Sequence, residues 1–258
     1  RPEKRNSMTT DFWKEFPEII SDINQEGVIR VIIISSTGPH FCSGLDLSIF
    51  QSDLLDINKE KANKAILLNN YIEILQNALN ILQDCRIPVI TAIQGACIGG
   101  GLDLVCASDI RLGTKDCYFS ILETKLGLVA DIGTFPRLVK LIPDGLVREL
   151  AFTGRNFNSN EAKLSGFLNN VYPDQKSMTN AAFELGKEIS NNSPTVVFGC
   201  KEAIKFSRDH TTVEGLDWIK MWNSAMFNMK EVEESFKAKI EKRTGNFDNL
   251  PKKITKIN

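Results

Sequence analysis

The stretch GACIGGGLDLVCASDI, residues 95–110, sets the triplet Gly99, Gly100 and Gly101, and then Asp103, at the mouth of an apolar run. A strand that turns through such glycines into a helix aims the first unbonded N–H groups, and the positive end of the helix dipole, at whatever occupies the turn. That geometry can cradle a phosphate, or it can stabilise a carbonyl oxygen that becomes negative in a transition state. The phosphate readings fail on pattern. A P-loop would end in GK[ST], and the spacing G-x-x-x-G-G-G is not the dinucleotide fingerprint GxGxxG. An oxyanion site remains, beside the plainer alternative that the glycines only let a helix pack tightly on a strand. A second glycine loop, HFCSGLDL at 40–47, shifts the balance toward chemistry. With only His40 and His210 in the chain, a histidine-based triad or a histidine-rich metal site has few candidates, so acid–base work has to lean on carboxylates.

The elements that must hold these loops follow from periodicity. Apolar positions Phe12, Phe16, Ile19, Ile20 and Ile23 predict a helix that Pro17 would kink or delay. VIRVIIISS (28–36) predicts a buried strand, and PVITAI (88–93) a second one with the glycine cluster directly behind it. Between them, Leu68, Ile72, Leu75, Leu79 and Leu82 mark one face of a long helix ending before Pro88. IRLGT and CYFSI predict further short strands. This rhythm of strand, glycine turn and helix is that of an α/β protein.

Behind residue 143 the chain reads as helices with recognisable ends. Asp144 opens one that Gly154 closes, Asn158 and Glu161 bracket a short capped helix, Ser193-Pro194 starts another, and Thr211 with Glu214 forms a capping-box pattern. Met178, Ala182, Leu185 and Ile189 give one apolar stripe; Trp218, Trp222 and Met226 give a second, suited to core or oligomer contact.

Bulk composition sets the bounds. At 258 residues and 42% hydrophobic content, the chain can bury a large core. A formal net charge of -1 carries no footprint of a nucleic-acid partner. No run is long and apolar enough to predict a membrane span. Cys42, Cys85, Cys97, Cys106, Cys117 and Cys200 form no CxxC pair and mostly sit in apolar runs, as free thiols in a reducing compartment do. The start RPEKRNSMTT, lacking an initiator methionine or an apolar signal region, reads as a trimmed boundary.

HFCSGLDL (40–47), GACIGGGLDL (95–104) and FSILETKLGLVADIGTFPRL (119–138), in that order, resemble the enoyl-CoA hydratase/isomerase, or crotonase, superfamily, over a stretch running from RPEKRNSM to FKAKIEKRTGNF. The resemblance implies an α/β crotonase (ClpP/crotonase-like) spiral of ββα units over residues 1–190, with a first strand ahead of this start. Residues 191–258 become a C-terminal helical region that assembles homotrimers, and hexamers as trimer pairs. It implies an acyl-CoA thioester substrate and no further cofactor or metal. The enolate oxygen would meet the amides of Leu45 and Gly100, with Gly101 beside them, and Ser43, Gly44, Leu45, Asp46 and Leu47 would line the CoA arm. Lys237, Lys239, Lys242 and Arg243 resemble a CoA-phosphate contact, though a solvated face explains them as well.

Superfamily members differ in the carboxylates around the acyl chain. Hydratases use two glutamates, at the positions of Asp103 and Glu123 here. This chain shortens the first and adds Asp131 where hydratases usually carry glycine. The pattern GGGxDL…E…ADIGT, with the tail SRDHTTVEGLDWIKMWN, resembles the Δ3,5-Δ2,4-dienoyl-CoA isomerase subfamily of fatty-acid β-oxidation. The resemblance makes Glu123 and Asp131 the acid–base pair, acting at C2 and C6, with Asp103 supporting them. Taken singly, each has a plainer role: Asp103 complementing a helix dipole, Glu123 as a surface charge, Asp131 capping the segment before Pro136. His40 is expected to make a local hydrogen bond, and Cys97, Cys106 and Cys117 to pack. The rival readings are an enoyl-CoA hydratase and a non-catalytic, binding or RNA-associated relative of the same fold. The resemblance places the protein in the mitochondrial matrix or the peroxisome; the ending ITKIN is not an SKL-type signal.

Overall fold

A computed structural model describes residues 1–46, 48 and 60–254; Leu47, residues 49–59 and residues 255–258 lie outside the description. Along the chain run α1 (Thr10–Glu26), β1 (Ile32–Ile34), α2 (Lys61–Asp84), β2 (Val89–Ile93), β3 (Ala96–Ile98), α3 (Gly100–Ala107), β4 (Ile110–Thr114) and β5 (Tyr118–Ser120). A 3₁₀ turn, Leu122–Leu126, follows. Then come α4 (Thr134–Leu138), α5 (Asp144–Thr153), β6 (Phe157–Asn158), α6 (Ser159–Leu164), β7 (Asn170–Tyr172), α7 (Gln175–Ser190), α8 (Pro194–Asp209), α9 (Thr212–Met226) and α10 (Met229–Ile240).

The strands form two sheets. One is wholly parallel in the order β1-β2-β4-β7; the other has the order β3-β5-β6, with β3 and β5 parallel and β6 antiparallel to β5. Each time the chain leaves the first sheet through β2 or β4 it enters the second through β3 or β5, so two short strands and a helix repeat. Every residue of β2 is buried, as a parallel strand covered on both faces requires. Helix α7 covers one face through Met178 and Ala182, which pack with Ile90, Ala92 and Leu112. The main core lies on the other side, where Leu79, Leu82, Val105, Phe119, Phe157 and Phe167 are buried together.

Three sequence expectations change. Helix α1 runs unbroken past Pro17, because Trp13 and Ile20 are buried on either side of it and the Thr9 side chain caps the start. The strand expected over 28–36 shrinks to Ile32–Ile34: Val28 and Ile29 are exposed, and Arg30 donates to the Phe247 carbonyl (2.7 Å) and Asn249 Oδ1 (3.0 Å), docking this stretch on the chain's last segment. The glycine cluster does not follow β2 directly; β3 stands between them, too short to leave a periodic signal. The helix ends behind residue 143 match their caps, including the reciprocal Thr211–Glu214 box.

Candidate active site

Two backbone turns meet at the amino end of α3. Gly44 has φ +86°, and a Cβ there would stand 3.0 Å from the Ile98 carbonyl oxygen and 3.2 Å from the Gly100 nitrogen, so only glycine allows this approach. Parallel bridging of Cys42 with Cys97 and of Met8 with Leu45 fastens the first loop from both sides. The Gly44 carbonyl accepts from the Met8 amide (2.8 Å), and the Asp46 amide donates to the Met8 carbonyl (2.9 Å). Between those anchors the Leu45 amide, like that of Gly100 at the first position of α3, donates to no protein acceptor among the described residues. Two unused donors on neighbouring rigid turns suit an oxyanion.

One carboxylate, Glu123, reaches the glycine triplet, and two more, Asp103 and Asp131, interact with it electrostatically. Glu123, in the 3₁₀ turn after β5, lies against the glycine triplet: a Cβ on Gly99 would be 3.2 Å from Glu123 Oε1. Its Oε2 is buried without a hydrogen-bond partner among the described residues. Burial raises the Glu123 pKa, and the Asp131 charge adds to the rise. Asp103 is buried in the first turn of α3, and its Oδ1 accepts from both the amide (2.6 Å) and the hydroxyl (2.7 Å) of Thr134. Burial pushes its pKa up to about 7 against those bonds, with Glu123 and Asp131 repelling in the same direction. Asp131 is more open to solvent, and partial burial raises its pKa too. Asp103, pushed up to about 7, and Glu123 and Asp131, raised by burial, all hold a proton more tightly than an ordinary carboxylate.

With this geometry in view, the chain's relatives are informative. The enoyl-CoA hydratase/isomerase family model matches residues 1–250. This chain belongs to the enoyl-CoA hydratase/isomerase family. The Δ3,5-Δ2,4-dienoyl-CoA isomerase of Rattus norvegicus mitochondria is 41% identical over 245 residues, 94% of this chain and 75% of that protein. The peroxisomal isomerase of the same name from Arabidopsis thaliana is 37% identical over 252 residues, 97% of this chain and 91% of that protein. Among solved structures, the enoyl-CoA hydratase of Bacillus anthracis superposes with a TM-score of 0.86 at 28% identity, covering 96% of this chain and 92% of that one. The crotonase spiral is thereby the fold of this chain.

Within the family framework the other predicted residues take definite places. Gly101 packs on the first loop, where a Cβ would meet Cys42 Cβ at 2.9 Å. Ser43 donates its amide to the Arg5 carbonyl (3.0 Å). The Asp46 carboxylate is occupied by Arg1 (2.8 Å), the Ser7 hydroxyl (3.0 Å) and the Ser48 amide (3.0 Å), which hold its pKa far below the usual range. Asp46 therefore braces the loop, and Leu47 lies outside the described residues. His40 Nδ1 accepts from the Ala96 amide (3.1 Å), the local bond expected of it. Cys97, Cys106 and Cys117 are buried, whereas Cys200 is exposed. In the basic run at 237–243, Arg243 is spent on Glu234 and Glu241.

Sequence reading missed Thr134, the partner of Asp103, and a polar edge on α2 made of Gln76, Asn80 and Gln83. The last three recur at helical spacing beside the apolar stripe, and that was the available signal. A concavity of about 1250 Å³ lies at the far end of α3 along Ala107–Arg111 and is lined by none of the three carboxyls; its Arg111 and Lys201 are tied to backbone carbonyls. A smaller one, about 410 Å³, is lined by Asp131 and the α2 polar edge. Among the described residues no three His, Cys, Asp or Glu are grouped to hold a metal ion, and no helix is long and apolar enough to cross a membrane.

Proposed function

We propose that the protein is a Δ3,5-Δ2,4-dienoyl-CoA isomerase of fatty-acid β-oxidation, working without a cofactor. The observation that carries this reading is Asp131, a third carboxyl whose charge bears on Asp103 and on Glu123, the carboxylate that lies against the glycine triplet. The thioester oxygen accepts from the Leu45 and Gly100 amides, which lowers the cost of removing a proton at C2. Glu123, whose Oε2 has no hydrogen-bond partner among the described residues, takes that proton. The electron pair spreads from C2 over C4 to C6, and Asp131, protonated in the ester complex where the acyl chain covers it, delivers a proton to C6. Double bonds at C3 and C5 become double bonds at C2 and C4, and no atom is gained or lost. Asp103 stays bonded to Thr134 and holds the surrounding frame.

Residues 1–190 form the catalytic spiral in this proposal, and residues 191–258 form the oligomerisation region. Exposed apolar side chains on α9 and α10, among them Val213, Leu216, Met221 and Phe236, support assembly with further copies as a trimer or a hexamer. The relatives' mitochondrial and peroxisomal names support one of those two compartments.

Incubation with 3,5-octadienoyl-CoA, following the absorbance of the conjugated 2,4-diene, tests the activity. Asp131→Asn should bind the ester and lose turnover by orders of magnitude. Addition of water to a 2-enoyl-CoA without any diene isomerisation would instead make the protein a hydratase. Binding of the ester without turnover of either substrate would make it a non-catalytic relative.

A further inference from the structure

The Asp131 carboxyl is carried by a short turn, Ala130–Gly133, with no strand or helix of its own. Its backbone is held from outside. Gln76 Nε2 of α2 donates to the Asp131 carbonyl at 2.6 Å. Two residues on, the Gly133 carbonyl accepts from Arg137 Nη1 at 3.4 Å, and the turn bends so closely over the guanidinium that a Cβ on Gly133 would stand 1.9 Å from Nη1.

Arg137 is itself held by α2: Nη2 donates to Asn80 Oδ1 (2.5 Å) and Nε to Gln83 Oε1 (3.2 Å). Among the described residues this buried guanidinium has no carboxylate partner. Burying an unpaired guanidinium is costly, and stability alone would be served better by an apolar residue. What Arg137 offers is a planar fork that reaches two side-chain amides and the turn at once. Gln76, Asn80 and Gln83 stand at i, i+4 and i+7, one edge of α2, next to the face that buries Leu75, Leu79 and Leu82 in the core. The edge is thus carried by a helix that the core anchors on its neighbouring face.

We propose that Gln76 and Arg137 are positioning residues for Asp131: the polar edge of α2 fixes the backbone of residues 131–133, and with it the point at which the Asp131 carboxyl meets the acyl chain. The inference rests on the reading of Asp131 as one of the two proton-transfer groups. Arg137 acts here through geometry: its guanidinium meets the Gly133 carbonyl and forms no ion pair with Asp131 among the described residues.

Gln76→Ala is the test, because Gln76 is only half-buried and its loss spares the core. Isomerisation of 3,5-octadienoyl-CoA is measured together with deuterium uptake from heavy water at C2 and at C6, read separately, for the wild type, Gln76→Ala and Asp131→Asn. Gln76→Ala should slow product formation by between about tenfold and a hundredfold with KM nearly unchanged. It should slow exchange at the same carbon that Asp131→Asn affects and leave the other carbon exchanging normally. Arg137→Lys, which keeps the charge and loses the fork, should show the same selectivity. A wild type that converts no dienoyl-CoA overturns the isomerase reading and this inference with it. A converting wild type whose Gln76→Ala variant is unchanged, or slows at both carbons equally, overturns the inference alone.

Discussion

Asp103 Oδ1 accepts from the amide and the hydroxyl of Thr134 together, so the first turn of α3 and the first residue of α4 share one carboxylate oxygen. The helix whose amino end supplies the Gly100 amide is thereby tied to the turn that carries Asp131. Thr134→Val removes the hydroxyl and keeps the amide. The variant should lose about 1–3 kcal/mol in urea unfolding at pH 8, and its turnover should fall more than its affinity for the ester. Equal stability and activity in the two proteins would show that the hydroxyl contributes nothing.

Burial raises the Asp103 pKa from 3.8 to about 7, so the unfolded chain releases this proton before the folded one does. The stability linked to this group is complete below about pH 4 and is lost as the pH climbs through about 7, on the order of 4 kcal/mol in total. Asp103→Asn keeps an oxygen for Thr134 without a charge. Relative to the wild type, the variant should gain stability steadily between about pH 4 and pH 8. Unfolding curves that keep a constant offset over that range would contradict the buried, repelled carboxyl.

Turnover needs one of Glu123 and Asp131 ionised and the other protonated. Burial raises both above the ordinary carboxylate range, and repulsion from Asp131 raises Glu123 further. The kcat/KM profile should rise as the base ionises and fall again once the acid also loses its proton, with the fall displaced upward from ordinary carboxylate values. A profile flat from about pH 5 to pH 8 would remove the two-carboxyl scheme.

Gly99 holds φ +53° and ψ -125° with its Cα facing Glu123. Gly99→Ala adds backbone strain of about 1–3 kcal/mol and pushes on the carboxylate, so kcat should fall with stability. Gly166→Ala is the control: φ is +84°, and a Cβ there meets nothing within 4 Å. It should show the stability loss and normal turnover. Matching kinetic losses in both variants would assign the Gly99 effect to strain.

Motifs dense in chemistry were legible in the chain. The two glycine loops and the carboxyls at 103, 123 and 131 pointed to the family and to the groups that cluster. Helix ends beyond residue 143 were legible because a cap is a local bargain between a side chain and the next few amides. β3 and the true extent of β1 were not, since a three-residue strand has no period and Arg30 makes its decisive contacts more than two hundred residues away. The bracing role of Asp46 escaped for the same reason, as its partner Arg1 is 45 positions distant.

By itself, then, the sequence determined which groups were available: backbone amides freed by glycine, and three carboxyls in place of two. Only the tertiary structure decided how each one is held. It left Glu123 Oε2 without a partner among the described residues, bound Asp103 to Thr134, and set the turn of Asp131 on the polar edge of α2. Proton affinity and aim depend on burial and on neighbours far away in the chain, and those exist only once the core has closed.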